Sequence, residues 1–161
     1  MRALLCTEHG LPDKLVLADD LDAPEAGPGQ VIIGIRAAGL NFPDVLIIQG
    51  KYQFQPDLPF SPGGECAGEI LAVGEGVERW NVGDKVVAMT GHGAFREQMA
   101  VDQNAVMPMP EGLDFSQAAG VAMTYFTSYH ALKQRADLKE GETLLVLGAA
   151  GGVGTTAVEL G

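Results

Sequence analysis

The sequence predicts a mainly β fold with some α: a small irregular barrel over 1–113, a helical crossing segment over 114–140, and the first strand, turn and helix of a parallel-sheet domain over 141–161. Three observations predict it. Short runs of strand-forming residues recur through the first hundred positions with turn residues between them, helical spacing begins at Asp114, and an apolar run near the end leads into a glycine-rich turn.

The strands come first. Arg2 to Cys6, Lys14 to Ala18, Val31 to Ala38, Glu65 to Val73, Lys85 to Met89 and Ala94 to Val101 read as short β segments. Gly10-Leu11-Pro12, Ala26-Gly27-Pro28-Gly29, Ser61-Pro62-Gly63-Gly64 and Val82-Gly83-Asp84 punctuate them. One short helix is expected from Pro43 to Gln49, where Asp44 sits early enough to favour the positive end of the helix dipole. Further on, Asp114 or Ser116 caps a helix carrying Ala118, Ala119, Val121 and Ala122. Phe126, Tyr129, Leu132 and Lys133 continue at roughly helical spacing. Gly141 ends that connection, and Thr143 to Leu147 is an apolar run of the kind buried in a parallel sheet.

Composition narrows the function. Hydrophobic residues make up 47% and charged residues 19% of the 161, which is globular, and the 22 glycines and 9 prolines demand many turns. A formal charge of −11 with no basic cluster repels nucleic-acid phosphates and anionic head groups, so no nucleic-acid or membrane partner is expected. Cys6 and Cys66 are too few for a disulfide scaffold or a cysteine-built zinc site, and neither a signal peptide nor a membrane-length apolar run is read. A reducing cytoplasm fits best.

The glycine turn Gly148-Ala149-Ala150-Gly151-Gly152-Val153-Gly154 carries the chemistry. A dinucleotide diphosphate needs bare backbone N–H donors at a helix N-terminus, and Gly151, Gly152 and Gly154 supply them in an A-x-G-x-x-G pattern placed between an apolar run and a helix-forming stretch, Thr155 to Leu160. A tight strand-to-helix turn without a ligand is the bland alternative.

That turn resembles the nucleotide loop of the zinc-independent quinone oxidoreductases of the medium-chain dehydrogenase/reductase superfamily. Ala37 to Asp44, Pro62 to Gly68, Val82 to Val86 and Thr127 to Leu132 agree with the family's other segments in order. The resemblance implies a GroES-like irregular barrel followed by the first β-turn-α of a Rossmann fold. It also implies hydride transfer from a nicotinamide to a quinone or an activated C=C bond such as an enone or enal, with substrate held between the two domains, and self-association as a homo-oligomer is expected. Zinc-using relatives carry Cys, His and Cys where this chain has Asn41, Gly64 and Met123, and Met89 to Val101 holds no cysteine, so no metal site is expected.

By the same resemblance Asn41 and Tyr52 are the candidate catalytic residues, as an amide donor to a developing oxyanion and a phenol proton source. Asn41, Thr127, Ala150, Gly151, Gly152, Val153 and Gly154 are the candidate cofactor contacts, with NADPH as the cofactor; the residue that selects NADPH over NADH falls past Gly161. Each has a plainer reading: Asn41 as a helix cap, Tyr52 as a half-buried aromatic, Thr127 as a hydroxyl returned to a helix carbonyl. His9, His92 and His130 share no ligand spacing and read as surface or hydrogen-bonded residues, Glu65 as a structural anion, Cys66 as an inert thiol and Trp80 as barrel packing. An NADPH-dependent enoyl-thioester reductase and a non-catalytic barrel module are the alternatives. Because the dinucleotide unit is incomplete at Gly161, the chain alone is expected to be an inactive fragment that associates through the uncovered Thr143 to Leu147 segment.

Overall fold

The computed structural model describes residues 1–161 and divides them into two compact units, Met1–Gly120 and Val121–Gly161. In the first, strands β1 (Ala3–Cys6) and β2 (Leu15–Ala18) form an antiparallel hairpin. β3 (Gln30–Gly39), β4 (Glu65–Val73), β5 (Lys85–Met89), β6 (Gln98–Asp102) and β7 (Val106–Pro108) form an antiparallel sheet in the order β6-β3-β4-β5-β7. Bridges from Ala3 to Arg96 and from Cys6 to Phe60 tie the hairpin to this body, giving the expected irregular barrel.

Alternation along β4 and β5 sorts the core. Cys66 and Ile70 on β4 and Val86 and Ala88 on β5 join Val31, Ile33, Met99, Val101 and Val106 in the main cluster. Their neighbours Ala67 and Val87 point to the opposite face and pack on Ala118 and Ala119. A two-residue side-chain period requires this division. Trp80 joins the main cluster, and its indole N–H donates to the Gln103 carbonyl at 3.1 Å. Ile33 and Ile70 have no exposed surface, so truncating either to Ala costs about 2–5 kcal/mol.

The expected bounds of β4 and β5 agree with the structure, β6 begins later than expected at Gln98, and β7 was not foreseen. Helix α1 spans Phe42–Ile48, and α2, Phe115–Ala118, is capped by Asp114, whose carboxylate accepts the Gln117 N–H at 2.8 Å.

In the second unit, α3 (Val121–Tyr129) runs into a π-type segment (His130–Arg135), and α4 (Gly152–Leu160) packs on α3. Buried hydroxyls pin this contact: Ser128 Oγ donates to the Val153 carbonyl at 2.8 Å and lies 2.7 Å from Thr156 Oγ1. The expected strand at Thr143 to Leu147 is a correction: the segment forms no strand and enters a turn at Leu147, and Leu145 and Leu147 are 80% and 87% exposed. A strand is defined by its hydrogen-bonded neighbour, and none of the 161 residues runs beside this one. No helix is long and apolar enough to cross a membrane.

Candidate active site

In the first unit, two loops meet at the end of β3. Gly39 closes that strand, and Asn41 follows with an extended backbone (φ −123°, ψ 159°) as the N-cap of α1. The Asn41 N–H donates to the Asp44 carboxylate at 2.8 Å. The Asp44 carboxylate also faces the backbone N–H groups of Gly63 and Gly64, so one carboxylate, only 3% exposed, stands between residues 41–44 and residues 62–64. Burial pushes the Asp44 carboxyl above its ordinary value and outweighs the three N–H donors, which pull it down.

The Asn41 side chain reaches the other way. Its Nδ2 donates to Oε1 of Glu65 at 2.7 Å, and Glu65, 1% exposed, opens β4 directly across from Gly39. Asn41 therefore stands at a helix cap and is also held by a buried carboxylate. Tyr52 lies beyond the other end of α1, half-buried against Cys6, Ile47, Ile48 and Phe60, as an ordinary aromatic would be. No hydrogen bond joins Tyr52 to Asn41.

Two other residues of this unit stand out. His92, expected at the surface or hydrogen-bonded in the core, is half-buried: its ring centroid lies 5.6 Å from that of Phe54 and 6.2 Å from that of Phe60, and its buried Nδ1 has no hydrogen-bond partner. Burial, then the neighbouring Arg96, lowers its pKa. Cys66 is buried, as expected, and burial pushes its thiol up to about 12.

In the second unit the glycine turn is built around Gly148. Its φ of +75° suits glycine, and its carbonyl accepts the Gly151 N–H at 3.1 Å. A Cβ on Gly154 would stand 2.2 Å from the Gly148 oxygen, so α4 sits against the turn only because Gly154 has no side chain. Gly151 caps α4, and the N–H groups of Gly152, Val153 and Gly154 fall in its first turn, where a helix has no acceptors of its own. Gly152 and Val153 are exposed, as are Ala150 and Gly151. Bare backbone donors at a positive helix end fit a dinucleotide diphosphate. Thr127 is exposed on α3.

Sequence reasoning placed Asp44 in the right helix but missed its bond from the Asn41 N–H, although its position three residues after Asn41 is the signature of a capping box. The A-x-G-x-x-G pattern counts from Ala149, whereas the residue with the left-handed backbone is Gly148, one position earlier. Nothing in the sequence singled out Ser128 and Thr156.

The first unit is thus an antiparallel barrel, and the second carries a glycine turn that opens a helix. Residues 27–111 match the alcohol dehydrogenase GroES-like domain, and the chain belongs to that family, within the medium-chain dehydrogenase/reductase superfamily. It is 41% identical over 160 residues to a "Quinone oxidoreductase-like protein 2 homolog" of Nematostella vectensis, covering 99% of this chain and 43% of the relative. The quinone oxidoreductase of Thermus thermophilus, solved also in complex with NADPH, superposes with a TM-score of 0.86 at 36% identity, covering 99% of this chain and 49% of that one. A solved enoyl reductase, JamJ, superposes with a TM-score of 0.89 at 30% identity over 99% of this chain and 50% of its own. The chain thus spans about half the length of the proteins it matches.

Proposed function

We propose that this chain is the barrel and nucleotide-turn portion of an NADPH-dependent quinone oxidoreductase that works without zinc. The carrying observation is the turn at Gly148 to Gly154, where Gly151, Gly152 and Gly154 carry no side chains and the first-turn N–H groups of α4 have no helical acceptors. Its likeness to a quinone oxidoreductase that binds NADPH supports the same reading.

A bound nicotinamide would supply the hydride. The chain's own residues would do the remaining work: Ala150 to Gly154 hold the diphosphate, Asn41 and Thr127 meet the nicotinamide end, and Tyr52 places a phenol proton for the reduced acceptor. Asn41 and Gly64 stand where zinc-using members need thiolate and imidazole, and neither can provide it. The acceptor would be a small quinone, enone or enal, and the protein a cytoplasmic homo-oligomer.

The test is NADPH oxidation dependent on 1,4-benzoquinone, measured for these 161 residues and for a chain of the relatives' full length. Turnover is expected in the longer chain only, and its Gly152→Trp variant should lose NADPH binding. A longer chain that neither binds NADPH nor reduces the quinone refutes the proposal. The match to an enoyl reductase favours a second reading, reduction of an enoyl thioester. Preference for a short enoyl-CoA over the quinone would establish it.

A further inference from the structure

The hydrogen bond from Asn41 to Glu65 bears on which reactant Asn41 serves. An amide nitrogen has two hydrogens, and one of those on Asn41 is given to Oε1 of Glu65 at 2.7 Å. A carboxylate only accepts, so the NH2 group of Asn41 must face it, and the amide has one orientation. The carboxylate cannot retreat: Glu65 is 1% exposed, and a Cβ on Gly39, its partner in the β3–β4 register, would lie 2.5 Å from Oε1. On the other side the Asn41 backbone is fixed by Asp44.

Any ligand meeting the second N–H of Asn41 therefore has a carboxylate behind the same nitrogen. That placement is poor for a developing oxyanion, because like charges would converge on one donor. It suits a group that gains positive charge, and a nicotinamide ring becomes cationic when it gives up hydride.

We propose that Glu65 is a positioning residue that fixes the Asn41 amide and, through its charge, makes this corner of the barrel favour the oxidised, cationic nicotinamide, so that Asn41 serves the cofactor rather than the substrate oxyanion. This rests on the nicotinamide-binding reading above.

The experiment compares dissociation constants for NADP⁺ and NADPH, by calorimetry on the full-length protein, between wild type and Glu65→Gln. Removing the charge should raise the ratio of the NADP⁺ constant to the NADPH constant by about tenfold, the scale of one partly shielded charge in protein. A side chain that only supported the fold would weaken both alike. The double variant Asn41→Asp with Glu65→Gln returns a carboxylate to the pair, with donor and acceptor exchanged, and should bring the ratio back to within about threefold of wild type. If Glu65→Gln does not fold, Asn41→Leu with Glu65→Met removes the charge and the bond partner together and is read the same way. An unchanged ratio in a folded variant without the charge overturns this inference and leaves nicotinamide binding intact. Failure of the wild type to bind either nucleotide overturns the functional reading and this inference with it.

Discussion

Replacing Asp44 with Ala should loosen the two loops that meet at Asn41. The carboxylate accepts the Asn41 N–H and faces the N–H groups of Gly63 and Gly64, and both glycines are buried. A buried donor left without an acceptor costs about 1–3 kcal/mol. The two glycine donors together therefore cost about 2–6 kcal/mol; the half-exposed Asn41 N–H turns to water and adds less, while relief of a desolvated charge returns part of the cost. A net loss of about 2–4 kcal/mol is expected from urea unfolding, a large share of the roughly 5–15 kcal/mol that holds a domain together. Asp44→Asn keeps one acceptor and should lose about half as much. The pH dependence separates the two terms. Because burial holds the folded carboxyl above its ordinary value of 3.8, Asp44's contribution is greatest below that value and is lost as pH rises through the folded pKa. Subtracting the Asp44→Asn curve from wild type should leave a difference that falls with rising pH from about 4 upward. An Asp44→Ala protein within about 0.5 kcal/mol of wild type would show that those glycine N–H groups need no carboxylate.

Three further outcomes follow. Gly154→Ala should break the turn, because its methyl would stand 2.2 Å from the Gly148 oxygen; amide shifts from residue 148 to 155 should move widely, and spectra unchanged beyond residue 154 itself would refute the close approach. Cys66, with its thiol pushed up to about 12, should ignore a disulfide reagent at pH 8 in the native protein and react in denaturant; prompt labelling of the folded chain would count against that burial. Elemental analysis should find far less than one zinc per chain, since Asn41 and Gly64 offer neither thiolate nor imidazole; one tightly held zinc would mean that other residues build a site.

Most of the barrel was legible because strand-forming runs and turn chemistry agree. β4 and β5 carry apolar residues on both parities, bounded by Pro-Gly-Gly before one and Gly-Asp before the other, and their ends fall where those turns put them. β7 escaped notice because three residues ending in proline carry no period, and only pairing with Val86 to Ala88 makes them a strand. The error at Thr143 to Leu147 is the converse: local composition is strand-like, but pairing is a property of two segments. At the site, Asn41 and the glycine turn were visible as residue types in order. The contacts that give them direction, the Asn41 bond to Glu65 and the approach of Asp44 to Gly63 and Gly64, join positions about 20 apart and appear only when β3 and β4 come into register.

The uncovered Thr143-Leu144-Leu145-Val146-Leu147 segment has a colloidal consequence. It is five consecutive uncharged residues, four of them apolar, with two leucines turned to water, which is the composition that stacks between molecules. Charge opposes this: at −11 near pH 7 the chains repel one another over a Debye length of about 8 Å at physiological salt. That protection fades as pH approaches the isoelectric point near 4.5 and as added salt shortens the screening length. The same acidic range in which Asp44 is most comfortable inside the barrel is the range in which neighbouring chains have least to keep them apart.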